Sequence, residues 1–508
     1  MPNPSSKNWR LAKLLDGFAD VSPQDDVVVT GLCISSRDLK PGEAFVALAG
    51  YRSHGLDYAQ QAESSGASAI IWDPEECDDQ TRMLAEMPRA IPVVAVKKLR
   101  VQLAELALRC FGDSSAEMFV VGVTGTDGKT SVSNFIAQAL HRPPCCCGLM
   151  GTLGNGFPGA LENATHTTAD VISIHRGLAQ MLHEGARQVV MEASSHGLHQ
   201  GRLKGVKFDV AVLTNLGRDH LDYHGDIEIY RNEKRRLFQW PDLRHIVVNI
   251  DDDFGRELAG QYRGCLPVWG YSTAAARPAV EVDFLLWAKS IEPRPQGSQI
   301  EVVTPHGEGE FLLPVLGRFN VSNALAALAV LLIAGLSLSE SLQRLQELNT
   351  VTGRMEVFRA QGKPAVVVDY AHTPQALQAV LKSLRDHCQG ELWCVFGCGG
   401  DRDRGKRPQM AEVAEHEADH VIVTDDNPRH EDPAHIVHDI MQGFKAPDRV
   451  TVIGERRMAI AEAITEAAAN DFVLVAGKGH EDYQLRGDQR LAYNERDVVR
   501  QLLAEVVA

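Results

Sequence analysis

At 508 residues the chain exceeds what one ordinary hydrophobic core fills, and about 100 to 200 residues per domain predicts three domains. A composition of 44% hydrophobic and 23% charged residues is that of a soluble globular protein and excludes a disordered, fibrous or low-complexity chain. The formal net charge of -16 excludes a protein that grips nucleic acid through a broad basic face, while a local cationic pocket stays compatible with it.

The opening stretch "MPNPSSKNWRLAKLLDGFAD" has no charged-then-apolar signal pattern. Weak strand patterns follow as far as the polar break "CFGDSSAEM", which predicts a first, smaller α/β domain over residues 1–115. Apolar runs rich in Val and Ile then recur at "MFVVGVTG", "RQVVMEAS", "DVAVLTN" and "RHIVVNID", with helix-like segments between them. This alternation predicts a largely parallel sheet covered by helices. The alanine-rich "NVSNALAALAVLLIAGL" reads as a buried helix, because its uncharged core falls short of the roughly 18 residues a spanning helix needs. A cytoplasmic protein with no membrane span is expected. "LNTVTGR" marks a hinge near residue 350, closing a central domain over 116–350. A second set of runs, "PAVVVDYA", "ELWCVFGCGG", "DHVIVTDD", "RVTVIG" and "DFVLVAGKG", predicts a third α/β domain, Rossmann-like, over 351–508. Ten cysteines include the trio Cys145, Cys146 and Cys147 but no C-x-x-C pair, so reduced thiols are expected rather than a zinc site or a disulfide framework.

In open α/β sheets ligands gather beyond the carboxyl ends of the strands, and the turns after these runs are rich in chemistry. "VVGVTGTDGKTS" is a buried strand, a glycine turn and the start of a helix. Gly125 and Gly128 let backbone N–H groups point at phosphate oxygens, Lys129 bridges those oxygens, and Thr130 offers a hydroxyl to magnesium. Val123 stands where the general G-x-x-x-x-G-K-S/T spacing wants glycine, so the loop is the shorter G-x-x-G-K-T. A plain glycine turn with a capping threonine is the alternative, and the strand before and helix after favour phosphate. Glu192 in "MEASSHGL" and His220 in "TNLGRDHLDYHG" end neighbouring strands and are candidate metal ligands beside that loop.

"GTDGKTS", "MEASSHGL", "TNLGRDHLDYHG", "NVSNALAA", "GRME", "DYAHTP", "GCGGDRDRGKR", "DNPR" and "GKGHE", in this order, resemble the motifs of the Mur ligases of bacterial cell-wall synthesis. The resemblance runs from "SSR" near residue 36 to "GKGHE" near 480. It implies a uridine-nucleotide domain, a central P-loop ATPase domain and a carboxy-terminal amino-acid domain. The implied reaction is ATP-dependent: a substrate carboxylate becomes an acyl phosphate, an amine attacks it and phosphate leaves. ATP and Mg2+ are the implied cofactors, and a monomer acting on small molecules, with no nucleic-acid partner, is expected.

The resemblance carries residue roles with it. Lys129, Lys234, His220 and Glu192 are implied as catalytic, with Lys234 a carbamylated lysine (N6-carboxylysine) that joins Thr130, Glu192 and His220 at magnesium. From the residues alone, Lys234 on a helix beside Glu233 and two arginines is expected to be solvated. ATP contacts are implied at Gly125, Thr126, Asp127, Gly128, Lys129, Thr130, Ser131, Asn323, Arg354, Asp369 and His372. The uridine-nucleotide substrate is implied at Ile34, Ser36, Tyr51, Arg52 and Ser53, and its peptide portion at His166, Thr167, Thr168, Ser194, Gln200 and Arg202. Asp127, His166 and Gly217 depart from the commoner family residues.

"DNPR" is the family signature for meso-diaminopimelate, which the resemblance implies is added to a UDP-N-acetylmuramoyl dipeptide. Asn427 and Pro428 make a rigid turn that presents Arg429, whose planar fork suits the ligand's distal carboxylate. From this stretch alone, a surface arginine paired with Glu431 or Asp432 is the simpler expectation. Asp426 and Glu481 are implied to favour the distal ammonium, and Arg402 and Gly477 complete the implied set. Addition of lysine or another amino acid, a folylpolyglutamate synthase, and a non-catalytic nucleotide-binding relative are the alternatives.

Overall fold

The computed structural model describes residues 8–50, 53–164, 166–217 and 219–504. They form two compact units, one from Met1–Val248 with Asp252–Trp269 and one from Asn249–Asp251 with Gly270–Ala508.

In the first unit, strands Leu32–Cys33, Ala44–Ala47, Ala69–Trp72 and Val93–Ala95 make a parallel sheet in chain order. Successive residues point to opposite faces. Ala44, Val46, Ala69 and Ile71 enter the core beneath helix Leu99–Phe111, while Phe45, Ala47, Ile70 and Trp72 enter a second core. Short strands buried on both faces show no polar alternation, which explains their weak signature in the sequence.

The larger sheet of this unit has the spatial order Ala160–Glu162, Gly154–Phe157, Cys146–Gly151, Ala186–Glu192, Phe119–Thr124, Val210–Leu213, His245–Asn249. Its last five strands are parallel, and all four predicted apolar runs lie among them. Strand Phe119–Thr124, which carries the glycine loop, is flanked by the strands leading to Glu192 and to His220. The first two strands are an antiparallel hairpin addition.

The second unit begins with an antiparallel meander, Phe284–Arg294, Gly297–Thr304 and Gly307–Leu313. Its strands keep exposed positions among buried ones, so they make no apolar run of the kind that marks the parallel strands. Helix Arg318–Ile333 is buried on all sides from Asn323 to Leu332, as its alanine-rich sequence predicts. A six-stranded sheet follows in the order Glu356–Phe358, Ala365–Asp369, Phe472–Ala476, Leu392–Phe396, His420–Val423, Thr451–Val452, antiparallel only at its first pair. The strand Phe472–Ala476, the last of these six in the chain, inserts between the first two parallel strands, so neighbouring connections leave the sheet in opposite directions there. The crevice at such a switch point is where doubly wound sheets hold ligands. All ten cysteines carry free thiols. Among the described residues no helix is long and apolar enough to cross a membrane.

Candidate active site

Strand Phe119–Thr124 hands over to helix Lys129–Leu140 through a loop that only glycine permits at its ends. Gly125 has φ +151°, and a Cβ there would lie 1.8 Å from Thr214 Oγ1; Gly128 has φ +80°. The following strand's loop clasps this turn. Thr126 N donates to Asn215 O at 3.0 Å, Asp127 N to Asn215 Oδ1 at 2.9 Å, and Gly217 N to Thr126 Oγ1 at 2.8 Å. Asp127 therefore works through its backbone while its side chain is exposed. A Cβ at Gly217 would meet Thr126 Cγ2 at 3.4 Å, an ordinary contact, so the position has room for the Cβ of a serine.

Two amines converge on this loop: Lys129 Nζ donates to Gly125 O at 3.0 Å and Lys234 Nζ to the same oxygen at 2.6 Å. Lys234 is 1% exposed, contrary to the solvated position expected from its neighbours. Helical spacing explains the difference: Tyr230, Glu233 and Lys234 share the buried face of Ile227–Arg235, with Lys234 Nζ 4.3 Å from the Tyr230 ring centre. Burial, reinforced by the nearby Lys129 charge, holds the Lys234 amine well below the usual lysine range. A neutral amine is a nucleophile, which an ammonium is not.

Glu192, 2% exposed at its strand's carboxyl end, accepts from Thr130 Oγ1 at 3.1 Å, Thr152 N at 2.8 Å and Thr152 Oγ1 at 3.1 Å. Burial pushes its carboxyl up, against the pull of Lys129. Thr168 Oγ1 donates to Glu192 O at 2.8 Å and accepts from Ser194 N and Ser194 Oγ at 3.0 and 2.9 Å. Arg202 Nη1 donates to Thr168 O at 2.6 Å, and Arg202 Nη2 to Gln200 Oε1 at 2.7 Å. Thr167 Oγ1 lies 3.1 Å from Thr152 Oγ1, within hydrogen-bond reach. Thr167, Thr168, Ser194, Gln200 and Arg202 thus form one hydrogen-bonded chain beside Glu192, with His166 exposed near its start. His220 lies apart from Thr130 and Glu192 in the hydrogen-bond pattern: it is exposed at φ +53°, its Nε2 3.4 Å from Asp219 and its ring 4.8 Å from that of His196. Among the described residues no three His, Cys, Asp or Glu side chains gather as a metal cluster. Ser36 Oγ donates to Gln61 Oε1 at 2.9 Å, Ile34 packs on the first core, and Ser53 Oγ is 3.3 Å from Tyr58 Oη. Tyr51 and Arg52 lie outside the described residues.

In the second unit, Asn323 Nδ2 donates to Asn320 Oδ1 at 3.1 Å inside the buried helix. Asp369, at its strand's end, accepts Met355 N at 2.8 Å and Ala371 N at 2.7 Å, while burial pushes its carboxyl up against the nearby Arg354 charge. Arg354 covers the Tyr370 ring at 4.9 Å, and His372 is exposed with Nδ1 2.9 Å from Tyr370 O.

The "DNPR" turn, after strand His420–Val423, meets "GCGGDRD" on one side and "GKGHE" on the other. Arg429 stands at φ +53° and its Nη1 donates to Gly400 O at 2.8 Å. Glu431 and Asp432 do not pair with it. Glu431 accepts from the fully buried Arg407, whose Nη1 and Nη2 reach its two oxygens at 3.0 Å each, and from Asp401 N at 2.7 Å, and it forms an ion pair with Arg404 at 3.3 Å. The Arg407 hydrogen bonds hold the Glu431 carboxyl down to about 2. Asp432 caps the helix Pro433–Met441. Arg402 is exposed on the neighbouring loop, and a Cβ on Gly399 would come within 2.7 Å of Arg429 Nη1 and 3.7 Å of Arg402 Cγ, so the two arginines share one corner. Asp426 and Glu481 flank Lys478, whose Nζ is 3.9 Å from Asp426 Oδ1 and 2.9 Å from Glu481 Oε2. Lys478 and Arg407 organise this corner and have no assigned role in the sequence motifs. A lysine between two glycines at the end of an apolar strand was the available signal for the first, and nothing in the sequence distinguishes Arg407 from its basic neighbours.

Three family descriptions match the chain: "Mur ligase family, catalytic domain" over residues 28–109, "Mur ligase middle domain" over 123–331 and "Mur ligase, glutamate ligase domain" over 353–479. A protein of Alkalilimnicola ehrlichii named UDP-N-acetylmuramoyl-L-alanyl-D-glutamate--2,6-diaminopimelate ligase is 48% identical, over 98% of this chain and 99% of its own. A Coxiella burnetii protein of the same name is 45% identical, over 97% and 99%. A solved structure of a ligase of that name has a TM-score of 0.68 at 34% identity, covering 98% of this chain and 99% of that one.

Proposed function

The chain belongs to the Mur ligase family, and from that premise we propose that it joins meso-diaminopimelate to UDP-N-acetylmuramoyl-L-alanyl-D-glutamate at the expense of ATP, in peptidoglycan precursor synthesis. The observation that carries the amino-acid assignment is the corner around Arg429: a half-buried guanidinium with no carboxylate partner among the described residues, in the turn that also carries Asp426, which with Glu481 flanks Lys478. A fork with several unused donors fits a carboxylate bidentately, and the acids fit an ammonium on the same carbon.

The glycine loop and Lys129 take the ATP phosphates, with Asn323, Arg354, Asp369 and His372 as nucleoside contacts. A transferring phosphoryl group needs preorganised positive charge more than covalent help, and Lys129 supplies it. Ile34, Ser36 and Ser53 take the uridine nucleotide, and the chain of hydroxyls and amides from Thr167 to Arg202 orients its peptide. Thr130 and Glu192 already present hard oxygens to one another at 3.1 Å, a donor set suited to Mg2+, with His220 and a carbamylated Lys234 as the further ligands. Bound magnesium would neutralise charge on the phosphate oxygens. Burial, which favours the uncharged form of the Lys234 amine, supports carbamylation, because attack on carbon dioxide requires the free amine. The division into domains at about residues 115 and 350 is part of the proposal, and each matched family segment falls within one of the three. So are a monomeric state and a cytoplasmic location.

Purified protein supplied with ATP, magnesium and the nucleotide dipeptide should release phosphate on addition of meso-diaminopimelate. Lysine and ornithine, which lack the distal carboxylate, should support little. Equal turnover with lysine would overturn the amino-acid assignment.

A further inference from the structure

We propose that Lys478 is a positioning residue that sets the amino-acid preference of the carboxy-terminal site, by clamping Glu481 through Asn427 and cancelling one of two adjacent acidic charges; this rests on the function proposed above. Lys478 follows strand Phe472–Ala476 and is 0% exposed between Gly477, at φ +117°, and Gly479, at φ +51°. Its Nζ donates to Asn427 Oδ1 at 3.1 Å and to Glu481 Oε2 at 2.9 Å.

Those two contacts decide two orientations. Lysine is donor-only, so it admits only the amide rotamer of Asn427 that turns the oxygen toward it. Leu485 N also donates to that oxygen at 2.9 Å, and Asn427 Nδ2 is left to donate to Glu481 Oε2 at 2.9 Å. Glu481 Oε2 thereby takes two donors, whereas Oε1 has none among the described residues and stays available to a ligand ammonium. Asp426 Oδ1 lies 3.9 Å from the same amine, and a Cβ on Gly477 would sit 2.7 Å from Asp426 Oδ2, so the glycine makes room for this carboxylate. Three further arginines at this end of the sheet are matched to other acids: Arg486 with Asp425 at 3.1 Å, Arg456 with Glu495 at 2.5 Å, and Arg407 with Glu431.

With Lys478 in place, Asp426 and Glu481 present one net negative charge. That suits a single ammonium whose neighbouring carboxylate goes to Arg429. Without Lys478 the acids present two, and the site becomes more favourable to an end group that is purely cationic than to one that is zwitterionic. A residue that merely supports the fold would lower turnover of both amino acids alike.

The test uses the full chain with Lys478→Met, a side chain of similar length, in amino-acid-dependent phosphate release with ATP and the nucleotide dipeptide. The expected result is a KM for meso-diaminopimelate raised at least about tenfold, an unchanged KM for ATP, and a fall in the diaminopimelate-to-lysine ratio of kcat/KM. Equal losses with the two amino acids, or an unchanged diaminopimelate KM, would overturn the proposal. Glu481→Gln and the double variant Lys478→Met/Glu481→Gln judge it even where the single lysine variant fails to fold. If Lys478 acts through Glu481, the double variant shows no loss of diaminopimelate affinity beyond that of Glu481→Gln, since only the uncancelled Asp426 charge is added; a further tenfold rise in KM, about 1.4 kcal/mol, would show an independent role and refute the clamp. Wild-type turnover with an amino acid other than diaminopimelate would refute the underlying function instead, and the variant-to-wild-type comparison with that amino acid would still judge Lys478.

Discussion

Arg429→Ala should separate recognition of the amino acid from everything else the protein binds. Arg429 spends one of its five donors on Gly400 O at 2.8 Å, leaving the rest of the fork for a carboxylate. Alanine must adopt the same φ of +53°, so backbone strain is common to both proteins and cancels in the comparison. Losing the Gly400 bond costs about 1 kcal/mol of stability, readable as a small fall in melting temperature. Truncating one partner of a buried, hydrogen-bonded charge pair costs about 2 to 5 kcal/mol in binding, and the half-exposed setting of Arg429 places it at the low end. About 2 kcal/mol corresponds to a roughly thirtyfold loss in apparent affinity for meso-diaminopimelate. Lysine lacks that carboxylate and should lose little, so the specificity ratio falls by a similar factor, and Arg429→Lys should restore only part of it. Amino-acid-dependent phosphate release reports both substrates. An unchanged ratio would mean that Arg429 serves the Gly400 loop alone and reads no ligand.

Lys129→Ala should abolish phosphate release at every amino-acid concentration, since a preorganised cation at a transferring phosphate contributes several kcal/mol; near-normal turnover would remove it from the ATP site. Lys234→Ala should be almost inactive and partly restored by short carboxylic acids, and intact-protein mass spectrometry under mild conditions should find the carbamate on the wild type; full activity of the variant would rule the modification out as a requirement. Glu431, held down to about 2 from 4.5 by Arg407, stabilises the fold fully above pH 4.5, and this contribution fades as the pH falls toward 2. The melting-temperature gap between wild type and Glu431→Gln should therefore be widest at neutral pH and close on acidification; a gap independent of pH would contradict the Arg407 clamp. Gly217→Ser, with 3.4 Å available at its Cβ, should keep turnover within about twofold of wild type, and a large loss would show that the loop requires glycine.

The sequence by itself determined the parallel sheets, because strands buried on both faces must be continuous apolar runs, and it marked the loops that end those runs, where such sheets hold ligands. Glycine and lysine at Gly125, Gly128 and Lys129 were legible for the same local reason: a tight turn before a helix needs φ values that only glycine supplies freely. Long-range contacts left no such trace. Lys234 reads as a solvated residue among charges until helical spacing carries it, with Tyr230, against the glycine loop. The pairing of Glu431 with Arg407 rather than Arg429 depends on how the helix Lys406–Glu417 docks beside its strand, and no pattern in "DNPRHED" encodes it. Lys478 takes its meaning from Asn427, 51 residues earlier in the chain, through a hydrogen bond that only the insertion of strand Phe472–Ala476 into the middle of its sheet brings about. Side-chain charge and backbone propensity are properties of a residue and its neighbours, whereas burial and partner choice belong to the packed sheet, and those alone settled which cations are buried and paired and which keep unused donors.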